Sequence, residues 1–154
     1  MNLPPDLALQ PATEEDVPFL LALRKRTMTA HLERAGVSLD DAGHLARIQY
    51  HFDDAQIVWL GGRPAGLFKH YRDAAGWRIV QIQIDPDFQG QGLGRRLVAD
   101  VLDRADQEGA PVTLSVLKGN PARRLYEALG FTPVMETELE HEMRYDPGAV
   151  RPGG

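Results

Sequence analysis

Apolar residues recur along this chain with two periods, and the changes between them mark the elements. Leu7-Ala8-Leu9-Gln10-Pro11 alternates and predicts a short first strand. Val17, Leu20, Leu21 and Leu23 then recur at helical spacing. Thr13 stands ahead of them as an N-cap candidate, with Glu14, Glu15 and Asp16 as acids suited to a first turn. A helix is therefore expected over residues 14–29, with one apolar face against a sheet. After Gly36, Ser38 is a candidate cap for a second helix through Asp40, Leu45, Ile48 and Phe52.

The middle of the chain reads as a meander. Residues 56–60 and 65–71 are strands joined by the turn Gly61-Gly62-Arg63-Pro64, and Asp73-Ala74-Ala75-Gly76 turns into a third strand over 77–84. Three sequential strands with tight turns place the third one centrally. It ends in β-branched residues, and Asp85-Pro86-Asp87-Phe88 stops it. Gln89-Gly90-Gln91-Gly92-Leu93-Gly94 then turns the backbone into a helix headed by Arg95 and Arg96 and ended near Gly109. Residues 111–117 form the next strand, parallel to the central one because a strand–helix–strand crossover makes it so. Asn120 opens a short helix that Gly130 ends, and a closing hairpin runs from Phe131 through Leu139, His141, Met143 and Tyr145.

Composition narrows the class. With 154 residues and 43% hydrophobic content, the chain makes one domain, expected over 1–146, with residues 147–154 as a disordered tail. The absence of cysteine excludes disulfides, thiolate metal sites and a cysteine nucleophile, and fits a cytoplasmic protein. No basic segment with a following apolar run marks a signal peptide or a membrane span, so no membrane enters the reading, and no metal is expected. A net charge of −5 argues against nucleic acid and leans toward cationic partners.

The glycine turn carries the chemistry. A helix N-terminus presents unpaired N–H groups and a positive dipole end, and Arg95 and Arg96 add charge, so a phosphate or pyrophosphate is the natural guest. The spacing fits neither the dinucleotide G-x-G-x-x-G, whose third glycine falls on Arg95, nor a P-loop, which needs Gly-Lys followed by Ser or Thr. What stands is Q-x-x-G-x-G behind an apolar strand, then Asn120-Pro121-Ala122-Arg123-Arg124-Leu125-Tyr126-Glu127-Ala128-Leu129-Gly130-Phe131. Together these blocks resemble the GNAT superfamily of N-acetyltransferases, sharply over residues 79–131 and by element order elsewhere.

The resemblance implies an α/β (α+β) GNAT-like domain: a mixed sheet of about seven strands flanked by about four helices, with splayed parallel strands at its centre. It implies acetyl-CoA as cosubstrate, its pantetheine bonded by the backbones of Ile82 and Ile84 and by Asn120. Its pyrophosphate would be enclosed by Gln89, Gly90, Gln91, Gly92, Leu93, Gly94 and Arg95, with Arg123, ahead of Arg124, reaching the nucleotide end. Tyr126 would protonate the departing thiolate. Family members often carry a carboxylate base on the central strands, but here Arg78, Gln83 and Ser115 stand at those positions. His141 is the candidate base because imidazole titrates near neutrality, with His70, His51, Glu136 and Glu138 as alternatives. The wall formed by the first two helices would offer Met28, His31, Glu33, Tyr50 and His51, and its acids point to a compact cationic amine as acceptor. A polyamine, an amino-sugar and an amino acid are all open as small acceptors, and a protein N-terminus or lysine, or a decayed acyl-CoA sensor, are the other readings. Homodimerisation would use the closing hairpin.

Overall fold

A computed structural model describes residues 6–149 of the chain. Seven strands form one sheet in the order β1-β2-β3-β4-β5-β7-β6. They are β1 (Leu7–Pro11), β2 (Ala55–Leu60), β3 (Arg63–Asp73), β4 (Gly76–Ile84), β5 (Val112–Leu117), β6 (Thr132–Glu136) and β7 (Glu140–Tyr145). Four α-helices flank them: α1 (Val17–Arg34), α2 (Asp41–Gln49), α3 (Leu93–Glu108) and α4 (Ala122–Ala128). Every neighbouring pair of strands is antiparallel except β4 and β5. This is the mixed architecture expected, including the parallel pair.

Several boundaries differ from the reading of the sequence. A 3-10 turn over Glu14–Asp16 precedes α1, and the helix runs to Arg34, a turn beyond the expected end. Thr29 did not stop it, because β-branching lowers helix propensity only slightly. Asp40, not Ser38, caps α2, its Oδ1 accepting the Gly43 N–H at 2.8 Å. The first hairpin turn contracts to Gly61-Gly62, both with positive φ, so Arg63 and Pro64 already belong to β3. At the other end Gly148 N–H donates to Asp106 Oδ1 at 2.7 Å and Ala149 packs against the core. Residues 150–154 of the expected tail lie outside the described residues.

The sheet separates two cores. On one face α3 buries Leu97, Val98, Val101 and Leu102 against Val58, Phe68, Ile79, Val112 and Leu114. On the other, α1 and α2 bury Leu20, Leu23 and Ile48 against Ile57 and Leu67. Strand alternation sets this division: Phe68 faces α3, while its neighbours Leu67 and Lys69 face α1 and α2.

Lys69 is fully buried, and its ammonium donates to the carbonyls of Arg47 at 3.2 Å, Ile48 at 3.0 Å and Tyr50. These are carbonyls at the C-terminal end of α2, which lack intrahelical partners and carry the negative end of the dipole. The lysine therefore fastens α2 to β3. Burial foremost, then the charge of Arg47, lowers its pKa from the ordinary 10.5 to about 8.

Lys69→Met is expected to lower stability by about 2–4 kcal/mol, since it leaves buried carbonyls unpaired. Between pH 8 and 10.5 the unfolded lysine holds its proton while the folded one releases it. The lysine's contribution to stability therefore rises with pH in that window, and the gap between wild type and variant should widen. Urea titration at about pH 7.5 and about pH 10 measures both; a loss under about 0.5 kcal/mol, or a gap that narrows, contradicts the assignment.

Candidate functional site

The parallel ladder between β4 and β5 is short. It pairs Trp77 with Val112, Arg78 with Thr113 and Ile79 with Leu114, then stops. Beyond Ile79 the strands part, although β4 runs on to Ile84 and β5 to Leu117. The cause is visible on the opposite edge of β4, where the pairing with β3 skips Val80 between Lys69↔Gln81 and His70↔Ile79. Such a bulge bends the strand and increases its local twist. Groups of β4 that would have bonded β5 thus lack a strand partner beyond Ile79, and a buried backbone group needs one.

A cavity of about 360 Å³ occupies the gap, lined by Ile79 to Gln83 from β4 and Leu114 to Leu117 from β5. Asn120 and Tyr126 close one side, and Arg24, Met28, Leu32 and Arg47 from α1 and α2 close the other. A second cavity of about 190 Å³ adjoins it, lined by Arg47, Tyr50, Arg78, Val80, Ser115 and Glu140. Glu140 lines both, and among the described residues it is the one acid that does. The acidic wall expected from the sequence is instead cationic.

The glycine turn follows the free end of β4. Gln89 Nε2 donates to the Ile84 carbonyl at 2.9 Å, holding the turn against the strand it leaves. Gly92 caps α3 with φ of 74°, a conformation that a side chain would strain. The first intrahelical bond of α3 runs from Arg96 N–H to the Gly92 carbonyl, so the N–H groups of Leu93 and Gly94 belong to the first turn, which offers them no intrahelical acceptor. Gln91 is exposed and Gly90 has nothing within 4 Å of where a Cβ would stand. At the base of the turn, Asp85 accepts from Asp87 N–H and pairs with Arg26 of α1 at 2.8 Å.

The expected site residues divide between the cavity and its surroundings. Ile82, Asn120 and Tyr126 line it, and Ile84 lies at the end of the same strand. Asn120 Oδ1 accepts the Ala122 N–H at 2.9 Å and opens α4. Arg123 pairs with Glu127 one turn along, at 3.5 Å. Met28 and Tyr50 line one cavity each, whereas His31, Glu33 and His51 line neither. His141 pairs with Val116 in the register of β5 and β7, on the face that buries Met143 and Tyr145. Its neighbours Glu140 and Glu142 take the other face, opposite Leu117 and Ser115. Glu142 there accepts from Arg78 at 2.5 Å and from Ser115 Oγ at 2.6 Å, so the three form one bonded group. Arg24, Arg47 and Glu140 went unnoticed in the sequence. The strand register alone, had it been known, would have put Glu140 beside the gap.

A sequence model of the Acetyltransferase (GNAT) domain family matches residues 43–146. The chain is similar to the mycothiol acetyltransferase of Beutenbergia cavernae, 33% identical over 130 residues covering 79% of this chain and 43% of that protein. It is also similar to the thialysine N-epsilon-acetyltransferase of Bos taurus, 30% identical over 114 residues covering 66% and 67%. The chain thus spans less than half the length of the mycothiol relative. Among solved structures, an acetyltransferase from Thermus thermophilus shares the fold, with a TM-score of 0.71 and 23% identity over 91% of this chain and 96% of that one.

Two titratable groups near the gap sit in contrasting surroundings. Tyr126 is buried beneath the cavity, and burial pushes its phenol up to about 12, so the hydroxyl keeps its proton. His70 points to the α3 face, stacked with Phe68 at 4.5 Å and Trp77 at 5.8 Å between ring centres. Burial, then the charge of Arg104, lowers its pKa to about 4. It lines neither cavity. Proton-detected titration of the imidazoles is expected to give His70 a midpoint near 4, and a midpoint at or above the ordinary 6.5 would contradict its burial as a neutral ring. Because the unfolded histidine binds its proton first, His70 should also remove stability as pH falls from 6.5 toward 4.

Proposed function

The chain belongs to the GNAT acetyltransferase family, and from that premise we propose that it moves an acetyl group from acetyl-CoA to the primary amine of a small molecule, by direct attack in a ternary complex. The observation that carries this reading is the early end of the β4–β5 ladder, which leaves backbone donors facing a cavity that also reaches Tyr126. An extended amide-bearing arm is the kind of ligand that can satisfy such an edge as a strand would.

The residues fit that cosubstrate in chemistry and order. The amides of Gly90, Gly92, Leu93, Gly94 and Arg95 take the pyrophosphate at the head of α3, with Gln89 and Gln91 flanking it. Asn120 and the backbone of Ile82 and Ile84 take the pantetheine, and a free β4 amide polarises the thioester carbonyl as charge develops on its oxygen. Arg123 of α4 is assigned the nucleotide end, which it serves by exchanging its pair with Glu127 for the ligand.

Acetyl transfer then requires three movements of charge. The acceptor arrives as an ammonium, since an alkylamine has a pKa of about 10.4, and must lose a proton. Glu140 lines the cavity, so proton removal is assigned to it, directly or through water, ahead of His141 on the other face. The amine lone pair attacks the thioester carbon, the C–S bond breaks as the nitrogen gives up its second proton to solvent, and the thiolate takes the Tyr126 proton. The amide and free CoA thiol leave, and the tyrosine recovers a proton from the acid formed on Glu140. The absence of cysteine supports direct attack over a thiol-bound acetyl intermediate. Similarity to an enzyme named for N-epsilon acetylation supports a free amine as acceptor.

Isothermal titration with acetyl-CoA should show binding, and thiol release with an amine panel should show turnover. Tyr126→Phe is expected to lower kcat by about 10² to 10³ while leaving the acetyl-CoA Kd within about twofold. Glu140→Gln should lower turnover most at neutral pH and least above the amine's own pKa. Unchanged kcat in Tyr126→Phe removes the acid assignment, and absence of acetyl-CoA binding removes the whole reading.

A further inference from the structure

The acceptor side of the cavity carries charge that amine acetylation in general does not call for. Arg24 of α1 lines the cavity with only 4% of its surface exposed. Its Nε donates to Nδ1 of His44 at 3.1 Å, and His44 is buried in turn on α2. An imidazole that accepts through Nδ1 is neutral, so it orients the guanidinium without offsetting its charge. Burial, then Arg24, lowers the His44 pKa and keeps it in that state. Arg47 lines the same cavity from α2.

Among the described residues, neither arginine has a carboxylate within ion-pair distance. Their neighbours are otherwise engaged: Arg26 holds Asp85, and Arg78 holds Glu142. From β4 the arginines face Gln81 and Gln83, buried amides whose Oε1 atoms have no hydrogen-bond partner among the described residues. Glutamines cannot neutralise a cation as glutamates would. A guanidinium kept from water without a counter-ion is unfavourable, and burial together with Arg47 has already lowered Arg24 to about 10. It nonetheless remains charged at neutral pH, and its planar fork matches one carboxylate through two parallel bonds.

We propose that the acceptor is an amino-carboxylate: its carboxylate binds Arg24, with Arg47 beside it, while its amine meets the thioester near Tyr126. This rests on the acetyl-transfer reading above and sharpens it. The cavity must also hold the acyl arm, so the acceptor is small, of amino-acid size. A phosphate would share the anionic chemistry, and the test separates the two.

Thiol release is measured with free α- and ω-amino acids, each paired with its carboxamide, and with polyamines, amino-sugars and phosphoethanolamine as further arms. Acetyl-CoA affinity is measured on the same preparations. At least one amino acid should exceed its carboxamide by about tenfold or more in kcat/KM. Arg24→Met should abolish that ratio by raising KM at least about tenfold, with acetyl-CoA affinity within about twofold, and Arg24→Lys should retain part of it. The wild-type ratio needs no variant, so a misfolded Arg24→Met leaves the test intact. Equal rates for acid and carboxamide overturn the proposal, as does turnover confined to polyamines, amino-sugars or the phosphate, or no turnover at all with acetyl-CoA bound. In those cases acetyl-CoA binding stands apart as evidence for the cosubstrate site. Absence of that binding overturns the transfer reading and this one with it.

Discussion

The parting of β4 from β5 is the constraint on which the rest of the site depends. A parallel pair at the centre of a sheet ordinarily satisfies every backbone group along its length. Here it does so for three residues on each strand and then opens. The bulge at Val80 supplies the bend without breaking the chain's pairing on the other side, since β3 and β4 continue together to Gly66↔Ile84. The open stretch is thus rigid on one edge and unsatisfied on the other. That combination is what a preorganised binding strip needs, because donors held by a neighbouring strand do not have to reorganise when a ligand arrives.

The two faces of the sheet solve different problems. The α3 face is a conventional apolar core, and even its His70 is kept neutral between Phe68 and Trp77. The α1 and α2 face buries cations instead. Lys69 joins α2 to β3 through the helix's terminal carbonyls, and Arg24 joins α1 to α2 through His44. Arg26 then ties α1 to Asp85, where β4 gives way to the glycine turn. Polar anchors of this kind specify position more narrowly than apolar contact, which tolerates sliding. The wall that α1 and α2 give the cavity is therefore fixed relative to both the strand edge and the turn by three directed contacts.

Much of the fold was legible because it rests on local signals. Alternation located the meander, glycines located the turn at Gly92, and the Asn120–Phe131 block located α4. Strand partners that are distant in sequence were not legible. The order β5-β7-β6 puts Glu140 on the cavity side and His141 on the other, a one-residue distinction that alternation along β7 alone cannot orient. The same limit hid Arg24. On α1 it falls next to Leu23 and reads as the start of the polar face, yet α2 covers it and His44 receives it. Helical spacing tells which residues share a stripe, not what a second helix will lay over its border.

Charge shows the same division between global and local. A net charge of −5 and acids on the first helices argued for a cationic acceptor. The acids are real, but they sit where solvent screens them: Glu14, Glu15, Glu33, Asp40 and Asp41 are all exposed. An exposed carboxylate acts through water and salt that screen it, whereas a buried guanidinium in the wall acts through a medium of low dielectric. One arginine at 4% exposure therefore counts for more than several surface acids in the charge that the cavity wall presents. The protein's overall charge acts on its approach to other macromolecules, and the paired or unpaired state of its few buried ions sets the charge inside the cavity.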